Sequence, residues 1–445
     1  MRRHSFLIAF MAAIIAVASP AWAQISCGSG AGASTCGNPE FRACTIASGG
    51  SQRQFCIHQP AIPKTNVPVV FAFHGGGGDA SAAVSWTAKH TEQGMILVAP
   101  SAQPSTVSFP AAGGVGCAAA WRHLGANLNG AFTDMSQLGD PPQCGPGLNG
   151  DDLQLMIDLS DAIRTQFDTG RFYAMGFSNG AGFVHQLKIT EPFASRFSGF
   201  AMISAGINAE KEAMVQIGAS PVPGTPYRIN GGVERIARPA MQMFGAEEKP
   251  NLPTAEIIAL LNTLSSAVAP GDLTGPCYHP NDWTAFRLMQ CFHAQPFPGM
   301  DVHDLPSNLE STREWLVEFN RAERRSSESL YPDLGQATGV AGALTDDTMV
   351  VRRDHRATDE DDSAHVAALT IIGGGHAVPG ARGNYAPCGL TRSCDIDALE
   401  EILQFWRAPC RPKKRLALRL TCRALSSGSG LPSPPPSSSS LATMP

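Results

Sequence analysis

Beyond its first 23 residues the chain has no apolar run near the ~20 residues that a membrane-spanning helix needs, so no transmembrane helix is expected. No C-x-x-C pair occurs among the 12 cysteines, which argues against a zinc site and, in an exported chain, for disulfides. No internal repeat is evident. The stretch from Arg407 to Pro445 lacks Asp and Glu while holding Arg407, Arg411, Lys413, Lys414, Arg415, Arg419 and Arg423. The formal charge of −5 therefore hides a more acidic body, which repels phosphate backbones and argues against a nucleic-acid partner.

What is present reads in three parts. Met1 to Ala23 has the form of a signal peptide: Arg2 and Arg3 begin it, Phe6 to Val17 is its apolar stretch, and Ala21-Trp22-Ala23 is a small-x-small cleavage site. An uncleaved anchor is the alternative. Residues 24–406 form the expected folded domain, since 43% apolar residues in the chain suffice for a packed core. Residues 407–445 are basic and then Ser/Pro-rich, a tail that cannot bury enough apolar surface to fold. The protein is expected to be secreted, with the periplasm as the other destination, and to be a monomer. Four short-range disulfides are expected, each bracketing a turn-rich loop: Cys44 with Cys56, Cys117 with Cys144, Cys277 with Cys291, and Cys388 with Cys394.

Along the body, strand-like and helix-like segments alternate. An edge hairpin is expected from Ala43 to Ala47 and Phe55 to His58. Apolar runs at Val67 to Phe73, Met95 to Ala99, Phe172 to Met175, Gly199 to Ser204, Ala240 to Phe244 and Val366 to Ile372 suit strands buried on both faces. Helical spacing marks Asp151 to Phe167 (with Asn149 or Asp151 as cap), Ala181 to Ile189, Thr254 to Val268, Leu309 to Ala322 and Asp395 to Trp406. Such alternation predicts an α/β fold, a mostly parallel central sheet covered by helices. Ser101 to Gly150 is too long for an ordinary connection and is expected to be an ordered functional loop.

Three segments carry chemistry. Gly176-Phe177-Ser178-Asn179-Gly180 fits G-x-S-x-G between a strand and a helix, where a serine on a sharp turn presents its hydroxyl beside the helix N-terminus. Standing alone, such a pattern in a Gly-rich chain is as consistent with a structural turn. His74-Gly75-Gly76-Gly77-Gly78 follows a buried strand and suits a loop whose backbone N–H groups of Gly75 and Gly76, with that of Asn179, would hold an oxyanion. Gly373-Gly374-Gly375-His376 follows the last strand, which makes His376 the general base. The acid is expected after the strand Ala240 to Phe244, at Glu247 or Glu248, with Glu248 preferred and Asp272, Asp301 or Asp304 as substitutes.

Taken together these residues resemble the secreted polyhydroxybutyrate depolymerase and feruloyl esterase family of α/β-hydrolases. The likeness lies in Val69 to Gly77, Gly176 to Gly180, Phe244 to Glu248 and Gly373 to Gly380, and it spans about Val67 to Trp406. It implies an α/β-hydrolase fold and a serine esterase acting through an acyl-enzyme, with catalytic Ser178, His376 and Glu248 and no metal or cofactor. Trp121, His74, Phe177 and Val378 are the candidates to line the ester substrate, a polyester oligomer or a plant cell-wall aromatic ester, with His74 read as a hydrogen-bonding support for the loop and not as a catalyst. Two departures stand out: Glu248 occupies a place usually held by Asp, and Val378 one commonly held by an aromatic. An insertion at about 262–307 is expected to form a lid. The rival from another class is a catalytically inactive binding or cell-surface protein that keeps the scaffold.

Overall fold

The computed structural model describes residues 24–28, 36–61, 65–109, 114–123, 151–207, 215, 227–232, 235–245, 305–331, 348–360, 362–372, 377–380, 393 and 395–407. The first strands are β1 (Ser26–Cys27), β2 (Arg42–Ser48), β3 (Ser51–His58), β4 (Val67–Phe73), β5 (Ile96–Pro100), β6 (Pro104–Phe109) and β7 (Gly114–Ala119). After them come β8 (Thr169–Phe177), β9 (Thr190–Glu191), β10 (Phe197–Ile203), β11 (Arg228–Ile229), β12 (Ala240–Gly245), β13 (Ala322–Leu330), β14 (Met349–Ala357) and β15 (Val366–Ile372). The helices are α1 (Ala80–Thr87), α2 (Asp152–Gln166), α3 (Asn179–Lys188), α4 (Phe193–Arg196), α5 (Leu305–Phe319) and α6 (Ala398–Arg407).

Eleven of these strands make one sheet in the order β1-β2-β3-β5-β4-β8-β10-β12-β15-β14-β13. Its middle, from β5 to β15, is parallel throughout, with antiparallel strands added at both sides. Alternation along β4 divides the core: Val69, Phe71 and Phe73 join the cluster under α2, α3 and α5, while Val70 and Ala72 join that under α1 and α6. This is the α/β architecture expected, because a strand buried on both faces needs apolar residues at every position. Asp151 caps α2 by accepting the Leu153 N–H at 2.8 Å.

Several elements differ from expectation. The pairing of Cys44 with Cys56 is wrong. Cys44 lies opposite Phe55 and Ala43 opposite Cys56, so neighbouring positions send the two sulfurs to opposite faces of the sheet. Cys44 instead bonds Cys27, its direct partner across β1 and β2, and Cys56 bonds Cys36. The other three expected pairs each involve residues outside those described. Residues 101–150 contain the antiparallel β6/β7 ribbon rather than loop alone. The helix expected to run to Ala322 ends at Phe319 because Arg321 takes φ +48°, and Ala322 opens β13. That strand and β14 escaped notice because runs such as Ala-Glu-Arg-Arg-Ser-Ser-Glu-Ser-Leu show no alternation of apolar and polar residues. The helix expected at Thr254 to Val268, the 262–307 lid up to residue 304 and the tail after Arg407 lie outside the described residues.

Candidate active site

The parallel strands β8, β10, β12 and β15 end at one edge of the sheet, in register at Phe177, Ile203, Met243 and Leu369. Ser178 follows β8 there and begins α3. Its φ of +54° and ψ of −122° put a non-glycine residue in a conformation that costs about 1–2 kcal/mol. Its N–H donates to the Ile203 carbonyl at 2.8 Å, and its own carbonyl accepts the Gly182 N–H at 3.0 Å, so sheet and helix together hold the turn. The two flanking glycines are demanded by packing. A Cβ on Gly176 would overlap the Gly180 carbonyl, and one on Gly180 would overlap the Phe73 and His74 carbonyls.

The glycine loop after β4 lies against this turn. A Cβ on Gly75 would sit 3.3 Å from the Ser178 Cβ and 3.1 Å from the Phe177 ring, and one on Gly76 would meet Asn179 at 3.6 Å. Gly75 is partly exposed and Gly76 exposed, as donors for a substrate oxygen need to be. Ser178, Asn179, Phe177, Gly75 and Gly76 are thus brought together. The positive end of the α3 dipole faces the same spot, and the Ser178 side chain makes no capping bond to the helix.

His74 and Trp121 lie beneath the loop, not on a solvent-facing wall. His74 is fully buried: Nε2 accepts the Ala102 N–H at 3.0 Å, which makes Nδ1 the donor to the Gly75 carbonyl at 2.7 Å. Burial pushes its pKa below the usual 6.5, outweighing the raising effect of the Gly75 carbonyl and of Asp79 and Asp152. The imidazole is therefore a neutral support. Trp121 is 1% exposed, its ring stacked on Phe183 and edge-on to Phe73. Val378 is 8% exposed and belongs to the core under α6.

His376 and Glu248 lie outside the described residues, as do Glu247, Asp272, Asp301 and Asp304. The strands that lead to the first two are described: β12 stops at Gly245 and β15 at Ile372, both at the edge where Ser178 sits. On the far side of His376, the Ala377 carbonyl accepts the Ser204 hydroxyl at 3.4 Å. Ser204 directly follows Ile203, whose carbonyl holds the Ser178 N–H, so Ala377 is bonded to the end of the strand beside Ser178. Gly380, with φ +66°, is then held by the Lys89 amine at 2.7 Å and by the Ser393 carbonyl at 2.8 Å.

Sequence reasoning missed the Asn179 side chain. Its Oδ1 accepts the Trp121 N–H at 2.7 Å and its Nδ2 donates to the Trp121 carbonyl at 3.2 Å. It also missed Ser204, which takes φ +60° one strand away from Ser178. A sequence carries no local signal for either, because the partners lie 58 and 173 residues away.

A parallel-centred sheet with a strained serine between strand and helix, and a glycine loop from the neighbouring strand packed on it, is the α/β arrangement expected from the sequence. No protein-family model matches the chain, and no curated protein matches it. Among solved structures it is similar to native sOPH, at 15% identity and TM-score 0.31, over 54% of this chain and 79% of that one. An acetyl xylan esterase from a Paenibacillus aligns at 13% identity and TM-score 0.33, over 55% of this chain and 79% of that one. An acetyl xylan esterase from Aspergillus awamori aligns at 12% identity and TM-score 0.35, over 79% of this chain and 93% of that one. The α/β architecture follows from the chain's own strand order.

Proposed function

We propose that the protein is a secreted serine esterase that hydrolyses carboxylic esters through an acyl-enzyme. One observation carries the reading: Ser178 is held at positive φ at the start of a helix, with the Gly75 backbone packed directly on it. Backbone strain at such a turn, with the backbone of Gly75, Gly76 and Asn179 beside it, is what an acyl-transfer nucleophile requires and what a structural turn does not.

In the proposed reaction His376 takes the Ser178 proton as Oγ attacks the ester carbonyl. The N–H groups of Asn179 and of Gly75 or Gly76 hold the oxyanion. The tetrahedral intermediate expels the alcohol, which receives the proton from the imidazolium, and leaves an acyl-serine. Water then attacks, giving its proton to His376, and Ser178 departs with that proton as the acid is released. Glu248 orients the imidazole and stabilises its charged form. Phe177 is the described substrate candidate at the surface of the site, and a soluble or oligomeric ester, whether hydroxyalkanoate or aromatic, is the substrate class. Export through residues 1–23 is supported by the Cys27–Cys44 and Cys36–Cys56 bonds, which persist in oxidising compartments. Among the described residues no helix is long and apolar enough to cross a membrane.

Hydrolysis of p-nitrophenyl acetate and butyrate by the wild type beside Ser178→Ala tests the proposal. Activity in the wild type alone is expected; no rate above background in the wild type sinks it in favour of an inactive scaffold. Methyl ferulate against hydroxybutyrate oligomers then separates the two substrate classes.

A further inference from the structure

We infer that the buried Arg53–Asp152 pair is a positioning device for the oxyanion side of the site, setting the gap between the glycine loop and the nucleophile turn. The inference rests on the serine-hydrolase reading above. Arg53 on β3 and Asp152 at the start of α2 are 1% and 2% exposed, and their side chains meet at 2.5 Å. A buried ion pair is a poor stabiliser, since desolvation commonly cancels the attraction and apolar replacement is often neutral or better. Here the guanidinium also keeps Nε and Nη1 without partners among the described residues, a further cost. Stability alone gives little reason for the pair to be there.

Its other contacts supply a reason. The second carboxylate oxygen of Asp152 accepts the Arg122 N–H at 2.8 Å. The preceding residue, Trp121, is the one whose backbone is doubly bonded to the Asn179 side chain, next to Ser178. From the same segment the Trp121 indole N–H donates to the His74 carbonyl at 3.0 Å, and the Ala119 carbonyl accepts the Gly77 N–H at 2.7 Å. Residues 119–122 therefore grip both arms of the proposed oxyanion hole. Arg53 reaches the Ser101 carbonyl at 3.4 Å, just before Ala102, whose N–H supports His74 from below. One buried pair thus fixes the wedge that ties the two arms together and the floor under one of them.

Oxyanion donors strengthen only as charge develops in the transition state, so loosening the wedge lowers kcat and leaves KM in place. The test uses the full chain with p-nitrophenyl butyrate. In R53M/D152L both charges are removed together, so that neither is left buried alone. This variant is expected to unfold near the wild-type temperature, lose roughly tenfold to a hundredfold in kcat, and hold KM within about twofold. A folded double variant with wild-type kcat overturns the inference, as does a loss carried by KM. Trp121→Phe keeps an aromatic ring against Phe183 while it deletes the indole donor and trims the buried ring. It should lose roughly fivefold in kcat, and an unaltered rate overturns the inference even if the double variant does not fold. Asp161→Asn, on the same helix and outside the wedge, should match the wild type. Backbone amide exchange of Gly75 to Gly78 reads the positioning independently of chemistry. Exchange about tenfold faster in R53M/D152L or Trp121→Phe is expected, and unchanged exchange overturns the positioning role. A wild type inert towards every ester would instead overturn the esterase reading while the exchange result stands.

Discussion

The two ends of α3 differ in almost every respect, although they share one helix. At its start Ser178 is partly exposed, its backbone is strained, and its side chain makes no cap at the end of the helix where the dipole is positive. Its last residue, Lys188, is 1% exposed, with its amine on the Asn320 Oδ1 at 2.6 Å and over the Phe319 ring at 4.3 Å. The Lys188 carbonyl accepts from the Asn230 side chain at 3.0 Å, and the next carbonyl, of Ile189, from the Asn230 backbone at 2.8 Å. Burial holds the lysine pKa well below its usual 10.5, with Arg238 and Arg235 adding to the effect. One end is held in a strained turn; the other satisfies its groups and ties α3 to the end of α5 through Asn320.

Substitutions at each end can break or sharpen that contrast. The largest effect is expected from Ser178→Ala, which should lower hydrolysis by about 10⁴-fold or more while leaving the thermal midpoint near the wild-type value. Equal losses of activity and of fold would show that the strained end is structural after all. Next comes Gly180→Ala, whose methyl has nowhere to go against the Phe73 and His74 carbonyls. A loss of about 3 kcal/mol in denaturant unfolding is expected, and a neutral result would mean that the elbow can open.

A smaller effect is expected of pH. Folding lowers the His74 pKa below 6.5, so below that pH the unfolded chain binds the proton more readily and stability falls as the pH drops, levelling off beneath the folded value. His90 is lowered mainly by burial too, and acts in the same direction. Melting temperatures recorded from about pH 7.5 to about pH 5 should decline in the wild type and decline less in His74→Asn; parallel curves would remove His74 as a source. The smallest change is at the anchored end. Lys188→Met avoids the cost of burying an amine that the unfolded chain keeps charged. The gain of a few degrees should be visible at neutral pH and shrink as the pH approaches 10.5, where the wild type loses its penalty. A variant less stable at every pH would show that the bond to Asn320 outweighs the burial cost.

Much of this was legible because the signals are local. Val67–Phe73 and Val366–Ile372 match their expected limits, since a strand buried on both faces is apolar at nearly every residue and stops where glycines begin. The Ser178 turn was legible for the same reason: Gly176 and Gly180 are required within five residues of chain. β14 was not, because Arg352 pairs with Asp354 on its own strand and with Glu401 of α6, so its charge is satisfied partly by a helix about 50 positions on. Asp152 looked like an ordinary acidic residue in the first turn of a helix. Only its burial against Arg53, 99 residues earlier, gives it another role.

By itself, then, the sequence determined the α/β alternation, the strand that carries Ser178 and the glycine loop that meets it, since each follows from hydrophobic period and the steric freedom of glycine within a short span. The tertiary structure alone decided the disulfide partners, the burial of Trp121 and His74, and the hydrogen bonds that tie residues 119–122 to the glycine loop and to Asn179. Those depend on which face of a strand a residue meets and on contacts between distant segments, and neither is written in the order of neighbouring residues.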